Sequence, residues 1–260
     1  MTTTKKAGIN ALFLAATLVV NALGALGYIN GLTQKEISDM FITLITPSPS
    51  TFSIWMVIYS LLIISVIMMI VKNDDAYYKR AVNQITVLFV MSCILNMAWI
   101  ITFSYVQIEL SVLFIFAFVI TLALICRELL KVNDGRHWLL PLNFGIYTGW
   151  LFIATVVNTA AMLVKLNWNG FGLADDIWAI IILIMAILLV IVVLLKIRNA
   201  AFPLPVAWAY FGIYQFLNAP QGFNGEFGLL QNIALAGVVV LVALAAIQFY
   251  RNHMLLIPKY

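Results

Sequence analysis

Eight long apolar stretches separated by short polar connections constrain this chain more than any other feature, because a soluble core could not absorb so many uninterrupted runs. A membrane-crossing helix needs about 20 mainly apolar residues. Segments near 9–29, 52–71, 84–104, 110–130, 138–164, 177–195, 204–218 and 229–250 meet or approach that length. The chain is 64% hydrophobic and 9% charged, whereas a soluble domain is about half apolar, so much of its surface must face lipid. The runs are continuous rather than alternating, which favours helices over barrel strands, since in lipid a backbone group finds its partner inside its own helix. The fold class is therefore all-α, a polytopic transmembrane helix bundle of eight spans.

Charge orients the bundle. An eight-span arrangement puts twelve Lys and Arg on one side and leaves only Lys35 and Lys165 on the other. By the positive-inside rule this expects a multi-pass protein of the plasma membrane with both termini cytoplasmic. Dropping the short seventh segment would carry Arg251, His253 and Lys259 outside, so it is kept as a span, bounded by Pro203, Pro205 and the polar run at 218–222. A net charge of +4 carried in short loops suits anionic headgroups, which makes membrane lipid the partner and excludes nucleic acid. Lys5 and Lys6 before an apolar run resemble a signal peptide, but the run at 9–29 exceeds the roughly 7 to 15 residues of such a segment. It reads as an uncleaved first helix. Cys93 and Cys126 fall inside spans as packing residues, and His137 and His253 read as solvated loop residues.

The first connection, 30–50, is long enough to carry structure of its own. Thr33 and Glu36 form a capping box, and Ile37, Met40, Phe41 and Leu44 recur at i, i+3, i+4 and i+7, which predicts a short amphipathic helix over one face of the bundle. It then runs into Thr46-Pro47-Ser48-Pro49-Ser50-Thr51-Phe52, a stiffened, non-helical approach to the second span.

No Asp, Glu, Lys or Arg lies at the centre of a span, which argues against a proton pump, a voltage sensor or a retinal protein. Amides remain, and an Asn in a membrane helix usually ties helices together. Three clusters combine amides with aromatics at helical spacing. Phe52, Trp55 and Tyr59 share a face of the second span; Asn96, Trp99 and Phe103 share one of the third; Trp150, Ala154 and Asn158 share one of the fifth. Trp138, Trp168 and Trp178 sit at span ends, where interfacial tryptophans gather. Trp99 and Trp150 lie deeper, where an indole N–H needs a partner or a cavity.

These motifs, in this order, resemble the translocator protein family, also called tryptophan-rich sensory proteins or TspO/MBR. The second-helix pattern is met by Pro47, Pro49, Phe52, Trp55 and Tyr59, the third-helix Leu-Asn-x-Ala-Trp pattern by Leu95 to Trp99, and the fifth-helix pattern by Trp150 and Asn158. The resemblance covers 1–167 and implies a five-helix transmembrane domain with an amphipathic lid at 30–50. Residues 168–260 then form a three-helix transmembrane extension, to which support, dimerisation into a homodimer or a separate role are all open. Family members have been linked to porphyrins and sterols, so the resemblance implies a ligand pocket among the first five helices. Its residues would be Pro47, Phe52, Trp55, Tyr59, Asn96, Trp99, Phe103, Trp150, Ala154 and Asn158.

A flat tetrapyrrole would stack on the Trp and Tyr faces while amides met its polar edge. No cofactor is required, and both histidines lie away from the pocket, so axial ligation of a haem iron there is not expected. The first reading is a membrane receptor or sensor for a hydrophobic, porphyrin-like small molecule. The second is a transporter or permease component in which Gln215, Asn218, Gln231 and Asn232 line a path through all eight spans. An enzyme ranks third, since no nucleophile with a base, metal cluster or nucleotide loop is visible.

Overall fold

Apolar runs whose backbone has no partner in lipid must close their hydrogen bonds internally. The computed structural model of residues 1–259 shows that outcome, with no strand among the described residues. The helices are α1 (Thr3–Ala25), α2 (Gln34–Asp39), α3 (Ile54–Val71), α4 (Ala76–Ser104), α5 (Ile108–Leu130), α6 (Leu139–Lys165), α7 (Asp175–Ile197), α8 (Pro203–Asn218) and α9 (Gly228–Arg251). A 3-10 turn, Pro49–Ser53, leads into α3. Seven helices are long and apolar enough to cross a membrane: α1, α3 with its lead-in, α4, α5, α6, α7 and α9.

The eighth expected span is α8, and it is short. Its 16 residues rise about 24 Å at 1.5 Å each, less than a hydrocarbon core of about 30 Å. It still runs between the two ends of the bundle, because the link that feeds it lies inside. Arg198 leaves α7 in the left-handed region, and residues 199–202 then pack on α6. Asn199 donates to the Pro141 carbonyl at 2.7 Å and accepts from the Ala201 amide at 2.9 Å. Non-helical backbone is tolerated at depth only where protein covers it, and the C-terminal tail completes that cover. Asn252 donates to the carbonyls of Arg198 and Leu256, both at 2.9 Å, and the Ala200 amide donates to Leu256 at 2.8 Å. Asn133, in the α5–α6 loop, donates to the Ile257 carbonyl at 3.1 Å.

Two glycines of α6 make room for this link. A Cβ on Gly145 would lie 2.7 Å from the Asn199 side-chain carbon, and one on Gly149 would lie 3.1 Å from the Phe202 carbonyl carbon. Around this groove α4 packs between α1 and α5, α3 lies across α1 and α6, and α8 fits between α6 and α9. One continuous buried cluster takes in Leu14, Trp150, Val190 and Leu241, so the first five spans and the last three share a core.

Amides tie the spans as the sequence suggested. Asn10 donates to Thr86 at 3.3 Å, Asn143 to Ser65 at 3.0 Å and Asn158 to Ser111 at 2.9 Å, each worth about 0.6 to 2 kcal/mol between membrane helices. Helix α4 begins two turns earlier than hydropathy alone predicts. Asp75 caps it by accepting from the Tyr77 and Tyr78 amides, and both tyrosines are buried. His137 is not a free loop residue. Its ring stacks on Tyr77 at 4.3 Å, and its Nδ1 lies 2.8 Å from Asp134.

Twelve of the fourteen basic residues gather at the end that holds both termini, together with four acidic ones. The opposite end carries Lys35, Lys165 and six acidic residues, and there Lys165 donates to Glu109 at 2.6 Å across α5 and α6. A branched side chain at Gly149 should force α8 off α6 and cost about 1 to 3 kcal/mol, the usual cost of overpacking. Gly149→Val should therefore lower the thermal midpoint in detergent, whereas Gly8→Ala, with nothing within 4 Å of the added Cβ and a better helix former in place, should not lower it.

Candidate functional site

The site is built where the connection between α1 and α3 folds back over the helix ends. Its capping box forms as the sequence predicts: the Thr33 hydroxyl accepts from the Glu36 amide at 3.2 Å, and Glu36 accepts from the Thr33 amide at 2.7 Å. That accepted backbone bond holds the Glu36 carboxyl below its ordinary range. The helix ends sooner than its apolar spacing suggested. It stops at Asp39, so Ile37 and Leu44 are buried while Met40 is half exposed. The sequence beyond is responsible: the Thr43 amide donates to the Thr46 hydroxyl at 2.9 Å, a local bond that competes with continued helix. The approach to α3 was expected to be non-helical, and Pro49–Ser53 is instead a 3-10 turn with proline at its start.

Beneath this lid lies a cavity of about 540 Å³. Nine of the ten residues singled out from the sequence border it: Pro47, Phe52, Trp55, Tyr59, Trp99, Phe103, Trp150, Ala154 and Asn158. Trp55 is their hub. It stacks on Tyr59 at 5.2 Å, meets Trp99 at 6.1 Å and stands edge-on to Trp150 at 6.1 Å, and Phe52 also meets Trp150 edge-on at 5.9 Å. Such edge and offset contacts are the arrangements that aromatic quadrupoles favour. Among the described residues the buried indole N–H groups of Trp99 and Trp150 find no acceptor.

Asn96 is the exception. It is fully buried behind the aromatic wall and does not border the cavity. Its amide instead links three helices: it accepts from Asn21 at 2.6 Å and donates to the Tyr147 hydroxyl at 3.1 Å, while the Tyr59 hydroxyl donates to Asn21 at 2.6 Å. The chain Tyr147–Asn96–Asn21–Tyr59 thus fixes the ring of Tyr59, and through their stack that of Trp55.

The sequence reading missed three parts of the wall. Leu18, Asn21, Ala22 and Ala25 of α1 border the cavity, and their i, i+3, i+4, i+7 spacing was available as a signal. It was hidden because the lipid side of α1 is equally apolar. Thr33, Gln34, Lys35, Ser38 and Asp39 bring polar groups to the rim, with Lys35 paired to Asp39. Ala209 and Phe216 come from α8, a contribution that no local pattern announces. The floor is therefore aromatic and the mouth polar, which suits a guest with a flat apolar body and a polar edge.

A family model described as TSPO-like protein matches residues 7–248. The match spans most of the chain, so the chain belongs to this family and is an integral, multi-pass membrane protein. It extends beyond the 1–167 of the motif resemblance and includes α7, α8 and most of α9. No curated protein and no solved structure matches the chain significantly.

Two outcomes follow from the site's construction. Asn96→Leu should loosen the aromatic wall, lowering the thermal midpoint by an amount equivalent to about 0.6 to 2 kcal/mol and broadening the tryptophan emission. The lid should also respond to acid. The Glu36 pKa is depressed in the folded lid, so its contribution is present above the unfolded carboxylate range and lost as pH falls through the folded value. Hydrogen-exchange protection over 33–40, corrected for the intrinsic pH dependence of amide exchange, should fall as pH drops below the ordinary carboxylate range, and Glu36→Gln, which still accepts but cannot titrate, should flatten that response.

Proposed function

We propose that this protein is a membrane receptor or sensor that binds a hydrophobic, planar, tetrapyrrole-like small molecule in the lidded cavity. The observation that carries this reading is the convergence of Trp55, Trp99, Trp150 and Phe103, from three separate helices, on one space beneath α2. Its volume of about 540 Å³ falls within the roughly 300 to 1,000 Å³ of small-molecule sites. Stacking faces on the floor suit an extended ring system, and each aromatic contact adds about 0.5 to 1.5 kcal/mol. The amides of Asn21 and Asn158 and the polar rim would meet the guest's heteroatoms.

In this reading the basic end faces the cytoplasm of a cell whose plasma membrane holds the bundle, with both termini inside. The cavity then opens toward the other side. Lipid is the surrounding partner and the planar molecule the specific one. Neither histidine borders the cavity, so this reading gives imidazole ligation no part in holding the guest. The transporter reading gains nothing from Gln215, Asn218, Gln231 and Asn232, none of which borders the cavity. Gln231 instead ties α9 to the Leu217 carbonyl at 3.3 Å.

Titration of purified protein with protoporphyrin, followed by the porphyrin's own absorbance band, tests the reading. Saturable binding is expected. Trp150→Ala should weaken it by about 2- to 12-fold, the equivalent of one aromatic contact. Ala154→Phe, which fills the cavity from α6, should weaken it further. Affinity unchanged in both variants would place the porphyrin elsewhere and contradict this pocket.

A further inference from the structure

The segment 46–53, between the lid and α3, rests its Phe52 ring on Trp150 of α6, but its hydrogen bonds to other spans do not go to the first five. It is fastened to α8. The Ser48 amide donates to the Gly212 carbonyl at 2.9 Å, and the Ser48 hydroxyl to Gln215 at 3.1 Å. The Trp208 indole N–H donates to the Thr51 carbonyl at 2.9 Å. Positions 208, 212 and 215 follow at i, i+4 and i+7, so one face of α8 makes all three contacts. Gly212 lets the strap approach, since a Cβ there would lie 2.9 Å from both the Cβ and the Cγ2 of Thr51. Thr46, Ser48 and Thr51 are buried as a result.

The same face of α8 also borders the cavity through Ala209 and Phe216, while the strap borders it through Thr46, Pro47 and Pro49. Without α8, the Ser48 amide and Thr51 carbonyl would turn toward lipid, which offers no partner. The strap would then have to reorganise, and the cavity would lose one side of its mouth. We infer that α8 is the jamb of the pocket mouth: Trp208, Gly212 and Gln215 are positioning residues that hold 46–53 in place and so set how fast a guest enters and leaves. This gives the last three helices a role in the site. The exchange of a guest rests on the pocket reading above, whereas the fastening of the strap does not.

Both parts can be read in one set of proteins. Trp208→Phe with Gln215→Leu keeps ring and side-chain volume but removes two of the fastenings; Gly212→Ala displaces Thr51 by bulk alone. Backbone hydrogen exchange of 46–53, measured by mass spectrometry in detergent without any guest, should accelerate by about tenfold in each. Exchange over α3 and α9 should stay the same. Trp178→Phe, which removes an indole bond to the Gly170 carbonyl at 2.7 Å far from the strap, should change nothing in 46–53. Stopped-flow release of protoporphyrin should quicken by a similar factor in the α8 variants.

Strap exchange within twofold of the unaltered protein, or acceleration spread equally over α3 and α9, would overturn the inference. If the unaltered protein takes up no protoporphyrin, the pocket reading falls, and the guest-free exchange still decides whether α8 holds the strap.

Discussion

Every backbone N–H and C=O placed inside a bilayer must find its partner within the protein, and the rest of this structure follows from that constraint. It turns the apolar runs into helices. It also decides what happens at the two places where the backbone leaves helical form inside the bundle. The link from α7 to α8 is met by Pro141, Leu256 and the buried Asn199 and Asn252. The strap before α3 is met by Gly212 and Trp208. The first segment is covered by α6 and the C-terminal tail, the second by α8. A shorter helix set inside the bundle does what a full-length span could not, because its first residue starts beneath a groove in α6 rather than at the membrane surface.

The pocket depends on a second, weaker set of forces. Trp55 makes its contacts with Tyr59, Trp99 and Trp150 without a hydrogen bond to fix it, so its position derives from packing and from the amide chain that anchors Tyr59. A cavity bordered by large rings invites collapse unless the rings are held apart, since unfilled space forfeits dispersion contacts. The amide of Asn96, behind the wall, and that of Asn21, at the cavity's edge, supply that restraint. Asn96 therefore bears on the pocket without touching its contents, which is why sequence spacing placed it in the wrong role.

What the sequence made legible was whatever repeats along one helix. The spans were visible as hydropathy, and α3, α5, α6 and α7 begin and end close to the predicted positions, whereas only the end of α4 does. The pocket faces of α3, α4 and α6 were visible because Trp and Phe at helical spacing stand out against Leu and Ile. The α1 face was not visible, since Leu18, Ala22 and Ala25 look like any lipid-facing stripe. The lid helix was predicted from a real capping box and a real apolar period, but Thr43 and Thr46 ended it after six residues. Contacts between distant segments left no local trace. Nothing in Gly212 or Gln215 alone indicates that they meet Ser48, and nothing in Phe216 indicates that it borders a space shared with Trp150.

The most direct test of the central claim, that indoles from three helices enclose a common binding space beneath the lid, is an electron cryomicroscopy map of the protein in lipid nanodiscs with protoporphyrin added. Planar density between Trp55, Phe103 and Trp150, beneath Gln34–Asp39, is the expected result. Indoles turned outward to the acyl chains, with porphyrin density on the lipid-facing surface and none between the helices, would contradict it.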